Sequence, residues 1–278
     1  MPALIVLGIF TVYPLFAGVR MAFTDQYLLR HMIDFIGLDN FKRAFSDDIF
    51  WLAMEHSFIV TILAVVFQFV FGLVLAWTMN QNLPGMALFK SIIMASWVIP
   101  VAATTTMFKF MAQPDIGFIN LVLKGIGLGS LERYWFGDLT AALPFIIILH
   151  LWRNVPFYGI AFLAAMQAIP KTYYEAAEID GMGAWDRFRR ITLPGIRSMI
   201  IVMVTIHVLW TFNNFDFVWL STGGGPVNAT EVLATYVYRM AWTEYDLGYA
   251  ASIGTVMLVI LAIYFIVYMR VFERQEKT

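Results

Sequence analysis

The stretch LGYAASIGTVMLVILAIYFIVYM, residues Leu247 to Met269, contains no charged side chain. A helix needs about 20 residues to cross the hydrocarbon core of a bilayer, so this stretch is long enough to span it. Inside lipid every main-chain polar group must be bonded within the segment, and a helix achieves this. The stretch therefore predicts a transmembrane helix, and with it a membrane protein.

Five further apolar runs follow the same pattern. With the first they predict an all-α integral membrane protein with six transmembrane helices, forming a single transmembrane domain over residues 1–278. A soluble helical core is the alternative, but it would need amphipathic stripes that these runs lack. The run nearest the N-terminus is too long for a cleaved signal peptide, and no basic residues precede it. Because it starts beside Met1, a chain that begins further upstream remains open. The six helices are expected at about 2–23, 56–79, 89–111, 140–168, 196–218 and 247–271.

Composition excludes several function classes. The chain is 60% hydrophobic and 13% charged, whereas soluble domains are near half apolar and a quarter charged. A net charge of -1 argues against a nucleic-acid partner. Without cysteine, and with only four scattered histidines, no metal site is expected. No G-x-x-x-x-G-K-[ST] motif occurs, so we expect no phosphate-binding loop, no bound cofactor and no catalytic site in this chain.

The distribution of Lys and Arg predicts the orientation. If both termini are inside, nine basic residues lie in the short inner segments and six in the longer outer loops. Cytoplasmic loops carry the excess of positive charge. Both termini, and the segment 170–195, are therefore expected on the cytoplasmic side.

The stretch YYEAAEIDGMGAWDRFRRITLPG, residues 173–195, is the most polar long stretch of the chain. Thr172 and Glu175 fit a capping box, which predicts a helix from Thr172 to Asp180. Gly181 stands where a left-handed C-terminal cap is needed. A second short helix should follow and end at the Leu-Pro of this stretch.

The first of these helices offers features suited to a partner. Ala176 and Ala177 give it a side without bulk, and Glu175 and Asp180 supply carboxylates for a partner's Arg or Lys. A solvated linker resting on the lipid head groups is the alternative, and the residues alone do not decide between the two.

The segment resembles the EAA loop of permease subunits in binding-protein-dependent ABC importers. That resemblance implies that the first helix is a coupling helix docking on an ATPase subunit, where Glu175 meets a basic residue and Gly181 permits the turn. ATP and Mg would then be bound by the partner ATPase subunits. The matching residues are Glu175, Ala176, Ala177, Gly181, Ile191, Leu193 and Pro194.

Other motifs are similar to those of carbohydrate-type permeases, most of all the maltose-type and glycerol-phosphate-type subunit with a TGGGP loop. This implies a multi-pass protein of the bacterial cytoplasmic (inner) membrane that imports a sugar with a second homologous permease subunit, two ATPase subunits and an extracytoplasmic solute-binding protein. The loop of Gly223, Gly224, Gly225 and Pro226 would face the binding protein, a flexible turn being the alternative. The motifs are IGLDNFKRAF (36–45), QPDIGFIN (113–120), STGGGPVNATEVLATYVYRMAW (221–242) and DLGYAASIG (246–254).

Polar groups within the apolar runs are candidates for the solute pathway, because such groups are expensive in lipid. Arg153 and Asn154 lie halfway along the fourth helix, where we favour a water-filled cavity over a structural cation paired across the bundle. Pro100 and Pro156 are expected to break their helices. Gln68 and the threonines 104–106 are expected to form interhelical hydrogen bonds.

The fifth helix carries a second polar group towards its outer end: Trp210, Asn213, Asn214 and Asp216. Amides, a carboxylate and an aromatic ring suit the hydroxyls and apolar faces of a sugar. The alternative is that these groups only hold helices together.

Three rival functions remain to be weighed. A secondary carrier would show an inverted repeat and a mid-membrane acid, and we find no repeat. An ABC permease for polyamines or amino acids would share the EAA loop but not the TGGGP and DLGYAA motifs. No constellation of residues supports a polytopic membrane enzyme.

Overall fold

The computed structural model describes residues 2–30, 33–81 and 83–276. The chain is all-α: over these residues it forms no β-strand, only isolated bridges such as that between Thr24 and Phe35. In chain order the helices are α1 (Pro2–Leu7, the π-helical Gly8–Val12, and Tyr13–Met21), α2 (Asp39–Phe45), α3 (Asp48–Met79), α4 (Met86–Val98), α5 (Val101–Met111), α6 (Phe118–Gly125), α7 (Ala142–Gln167), α8 (Lys171–Ile179), α9 (Ala184–Arg187, the π-helical Phe188–Thr192, and Leu193–Gly195), α10 (Arg197–Phe212), α11 (Asp216–Ser221), α12 (Leu233–Trp242) and α13 (Leu247–Glu276).

Among the described residues, four helices are long and apolar enough to cross a membrane: α1, α3, α7 and α13. Two further pairs of helices reach the length needed to cross a membrane only when the two helices of each pair are taken together. Helices α4 and α5 meet at 97°, and α9 and α10 meet at 64°. The described residues thus provide four to six spans, the higher number applying if each bent pair is one span.

Two of the predicted helices are interrupted. The break expected at Pro100 is confirmed: it divides the helix expected over 89–111 into α4 and α5, because proline has no N–H to donate and disfavours helical backbone in the residue before it. The helix expected over 196–218 ends at Phe212 and resumes at Asp216. Between them, the Asn214 side chain accepts a hydrogen bond from the Phe217 N–H, an arrangement that competes with helix continuation.

The break expected at Pro156 was wrong. Helix α7 runs without interruption from Ala142 to Gln167, with Pro156 buried inside it. A proline removes one hydrogen bond of its own helix, but packing of the surrounding helices can hold the helix together.

The chain divides into two compact units. We call Ile59–Phe212 the middle unit, and Met1–Phe58 together with Asn213–Thr278 the terminal unit. Helix α3 begins in the terminal unit and continues into the middle unit.

The middle unit is built on close contact between α3 and α7. A Cβ added to Gly72 would lie 2.4 Å from the Cβ of Tyr158, and one added to Gly159 would lie 2.7 Å from Leu75. Small residues on both helices let the backbones approach, as is usual where helices associate in membranes. The buried core beside this contact consists of Ala76, Met79, Tyr158, Phe162, Leu163, Met166, Ile196 and Met203.

In the terminal unit, two of the motifs singled out in the sequence contact each other. Arg43 of IGLDNFKRAF donates to the Asp246 carboxylate of DLGYAASIG at 2.5 Å, and its guanidinium lies 4.0 Å from the centre of the Tyr249 ring. Gly248 allows its backbone to approach that of Thr24, since a Cβ there would lie 2.1 Å from the Thr24 carbonyl oxygen. The motifs therefore hold α2 against the start of α13.

Candidate functional site

Helix α8 opens the polar segment 170–195. The capping box expected at Thr172 and Glu175 was wrong: Pro170 is the N-cap, the helix starts at Lys171, and no side chain caps it. Pro170 has an extended backbone (φ -58°, ψ 132°), so helical geometry begins with the residue that follows it.

A left-handed glycine ends α8. Gly181 has φ +74°, a conformation that glycine adopts without steric cost. The N–H of Met182 bonds to the Ala177 carbonyl at 2.9 Å, and that of Gly181 to the Glu178 carbonyl at 3.0 Å. These bonds satisfy the last carbonyls of the helix and turn the chain towards α9.

Contacts between α8 and α9 make the segment one folded piece. Arg187 donates to the Glu178 carboxylate, and the hydroxyls of Tyr174 and Thr192 are hydrogen-bonded at 3.0 Å. Arg187 is thereby placed against α8.

The residues expected to meet a partner lie on different sides of α8. Glu175 is exposed, whereas Ala177 is buried within the chain. Ala176 and Asp180 line an open groove of about 640 Å³, which also borders the end of α7 and the end of α9. The side chain of Ile179 is apolar, yet the residue is 88% exposed.

Arg153 is half-buried on α7 and bonds to main chain. Its Nη2 donates to the carbonyl oxygen of Ile99 at 3.1 Å, directly before the break at Pro100. Asn154, the next residue, donates to the carbonyl of His150 at 2.8 Å, one turn earlier on the same helix.

The other pathway candidates fall in both units. Trp210, at the end of α10 in the middle unit, is exposed, and its ring lies 5.4 Å from that of His207. Asn213, Asn214 and Asp216 belong to the terminal unit, where Asn213 and Asp216 are exposed.

Two buried polar side chains of the middle unit are hydrogen-bonded to each other, and the sequence predicted only one of the two. Gln68 on α3 was expected to form an interhelical hydrogen bond, and its Nε2 lies 2.7 Å from Nδ1 of His150, which confirms it. The partner His150 was missed, although its spacing of four residues from Asn154 was a signal. Among the described residues, the buried hydroxyls of Thr104 and Thr105 have no hydrogen-bond partner, so that expectation was wrong for both.

The glycine loop of the terminal unit is held by side chains. Gly223 and Gly224 have φ +64° and +90°, and Gly225 precedes a cis peptide bond to Pro226. The Thr230 hydroxyl donates to the Gly225 carbonyl at 2.7 Å. The course of the loop is therefore set in part by a side-chain hydrogen bond at Gly225.

A buried acid lies beneath this loop. Glu231 is 1% exposed, and a Cβ on Gly224 would lie 2.5 Å from its Oε2, so glycine makes room for the carboxylate. Arg239 approaches Glu231 to 3.0 Å and donates to Asn228 at 2.7 Å. Burial raises the pKa of Glu231, although the nearby Thr235 hydroxyl and the charge of Arg239 oppose the shift.

The comparison with protein families decides the class. Residues 68–277 match the family described as the binding-protein-dependent transport system inner membrane component. The chain belongs to this family. It is a multi-pass membrane permease of the ABC importer type, and relatives of this kind are transport components.

Individual relatives cover nearly the whole permease. The probable ABC transporter permease protein YurN of Bacillus subtilis (strain 168) is 32% identical, over 98% of this chain and 94% of its own length. The sulfoquinovosyl glycerol transport system permease protein SmoG of Agrobacterium fabrum is 29% identical, over 99% and 89%. A chain in the crystal structure of a bacterial alginate ABC transporter, in complex with its periplasmic protein bound to alginate pentasaccharide, has a TM-score of 0.87 at 25% identity, covering 100% of this chain and 93% of that one.

Proposed function

We propose that this permease is the pore-forming subunit of an ATP-driven importer that translocates a sugar or sugar derivative delivered by an extracytoplasmic binding protein. The observation that carries this is the full-length similarity, with a TM-score of 0.87, to a chain of an alginate transporter solved with its periplasmic protein. A relative named for sulfoquinovosyl glycerol transport supports the same cargo class.

In this proposal each bent helix pair is one of six spans, and both termini and the segment 170–195 face the cytoplasm. The excess of basic residues on that side supports this orientation. The protein would lie in the bacterial cytoplasmic membrane.

Two ATPase subunits would bind ATP and Mg and act on the permease through α8. The exposed carboxylate of Glu175, the exposed Ile179, and the groove bordered by Ala176 and Asp180 support a docking surface there. Gly181 would set the turn and the buried Ala177 would seat α8 on its own chain. A second homologous permease would complete the pathway.

The solute would pass beside Arg153, Asn154, Trp210, Asn213, Asn214 and Asp216. Exposure of Trp210, Asn213 and Asp216 supports this assignment. On the outer side, the loop of Gly223, Gly224, Gly225 and Pro226 would face the binding protein, supported by the side-chain hydrogen bond at Gly225 and the exposed Val227 at its tip.

The test is to tag this chain, extract it in mild detergent from its native membrane and identify the proteins that co-purify. We expect a second permease, an ATPase and a solute-binding protein, and ATP-dependent uptake of a sugar after reconstitution with them. Uptake restricted to an amino acid or polyamine would overturn the cargo class. A lone chain that transports without ATP would overturn the importer.

A further inference from the structure

A second groove lies between the C-terminal half of α3 and the start of α9. It is separate from the groove bordered by Ala176 and Asp180. We call it the α3–α9 groove. It has a volume of about 470 Å³ and only apolar lining side chains, among them Val70, Val74 and Trp77 of α3 and Trp185 and Phe188 of α9. Helix α3 is a candidate membrane span, so this groove lies where the span meets the polar segment 170–195.

The length and lining of the groove indicate what suits it. Its wall on α3 runs from Phe69 to Trp77, a distance of about 12 Å along the helix. Every side chain that lines it is apolar, so a hydrocarbon chain can lie along this wall without burying a polar group.

The groove carries two tryptophans, a residue type enriched where membrane meets water. Trp77, at the end of α3, and Trp185, at the start of α9, are about half or more exposed. The Trp185 ring stacks on Phe188 with centroids 5.6 Å apart, so it forms part of a fixed wall.

One arginine beside the groove has no acid of its own. Arg187 is paired with Glu178, and Arg190 lies 3.8 Å from Asp186. Arg189 is exposed, and over the described residues it forms no ion pair. In the chain it directly follows Phe188, which lines the groove.

We propose that the α3–α9 groove binds an acyl chain of an anionic phospholipid, whose phosphate is held by Arg189. Arginine suits this role because its planar guanidinium matches phosphate oxygens. The inference rests on the chain being a multi-pass membrane protein, and needs neither the sugar cargo nor the orientation proposed above.

The test uses the complete transporter complex, without ATP or solute. The complex is transferred to nanodiscs of phosphatidylglycerol or of phosphatidylcholine. It is then released from the nanodiscs, and the lipids it retains are identified by native mass spectrometry. We expect retained phosphatidylglycerol on the wild type and little phosphatidylcholine. Arg189→Gln should weaken phosphatidylglycerol binding about fivefold, the effect of one basic residue at a lipid surface. Val74→Trp, which fills the groove, should lower it at least as much.

Matched variants separate the site from general effects. Val66→Trp places the same bulk on an exposed position of α3 outside the groove, and Arg190→Gln removes a neighbouring charge that borders the other groove. Both should retain the lipid as the wild type does, and Arg20→Gln, at an exposed position of α1 in neither groove, repeats the charge control outside the proposed docking surface. Equal retention of the two lipids, or wild-type retention by both Arg189→Gln and Val74→Trp, would overturn the proposal.

A photo-crosslinking residue in place of Val74 tests the occupant directly. Crosslinks to phospholipid would support the assignment. Crosslinks to another subunit in the intact complex would overturn it in favour of a protein interface. Neither readout depends on transport, so failure here and failure of the proposed function are distinguishable.

Discussion

Arg153 donates a hydrogen bond from Nη2 to the main-chain oxygen of Ile99, 3.1 Å away. In an unbroken helix that oxygen would accept from the N–H four residues later, but the chain turns at Pro100 and the 97° bend removes this partner. The arginine takes its place. The sequence left two interpretations of Arg153, a structural cation and a residue that lines a cavity. Arg153 has a structural partner and is also half-exposed, so it has a feature of each.

Replacing Arg153 by Met should leave the Ile99 carbonyl without its donor. Hydrogen bonds to charged groups contribute about 1.5–3 kcal/mol, so we expect the free energy of unfolding in detergent to fall by about that amount. Arg20→Met, at an exposed position at the end of α1, is the control. A loss no larger than that of the control would contradict the role assigned to this bond.

Replacing Gly72 by Ala should force α3 and α7 apart. The added Cβ would lie 2.4 Å from the Tyr158 Cβ, and overpacking of this kind costs about 1–3 kcal/mol. Gly254→Ala in α13 meets nothing within 4 Å and should be neutral or slightly stabilising. Thermal unfolding of the two variants in the same detergent makes the comparison, and equal midpoints would show that the helices can adjust.

Asp47 should make the terminal unit sensitive to acid. Burial alone would raise the pKa of this carboxyl, but hydrogen bonds from Tyr236, Tyr249 and nearby main chain bring it below its ordinary value. Because the folded pKa is lowered, the stabilisation is present above the pKa of the unfolded chain and is lost as pH falls through the folded pKa.

We therefore expect the unfolding free energy to fall below about pH 4 in the wild type, and less steeply in Asp47→Asn. Asp48→Asn, at the exposed neighbouring position, should behave as the wild type. Parallel pH profiles for the wild type and Asp47→Asn would rule out this source of acid sensitivity.

Replacing Glu175 by Lys should uncouple ATP hydrolysis from uptake while the membrane fold stays intact. A reversed charge at an interface opposes a basic partner, so reconstituted uptake should fall about tenfold or more. Asp115→Lys makes the same charge change in another loop, at an exposed residue. Unchanged uptake in Glu175→Lys, with Asp115→Lys as reference, would remove Glu175 from the docking surface.

Hydropathy predicted which segments form long apolar helices, and predicted the ends of those helices less well. The helix expected over 56–79 lies within α3, but α3 begins eight residues earlier at Asp48. Helix α13 likewise continues past Met269 to Glu276. A helix continues past an apolar run as long as the following residues favour it, so the limits of the run are not the ends of the helix.

The bonds that arrange the site could not be read from the sequence. Pro100 and Pro156 have the same local chemistry, yet only the first interrupts its helix, because the outcome depends on what packs around each. Gly181 could be assigned, since its requirement is local. Glu231 was missed because its burial depends on Gly224, seven residues away, leaving space for its carboxylate.

The bend at Pro100 also constrains how the protein can enter a membrane. Helices α4 and α5 have 13 and 11 residues, or about 20 and 17 Å, so neither reaches across a core of about 30 Å alone. Their junction would expose the Ile99 carbonyl to lipid, at a cost of several kcal/mol. Its donor is on α7, which is synthesised later. The broken pair is therefore expected to wait at the translocon or the membrane surface until α7 arrives, and to be released into lipid with it.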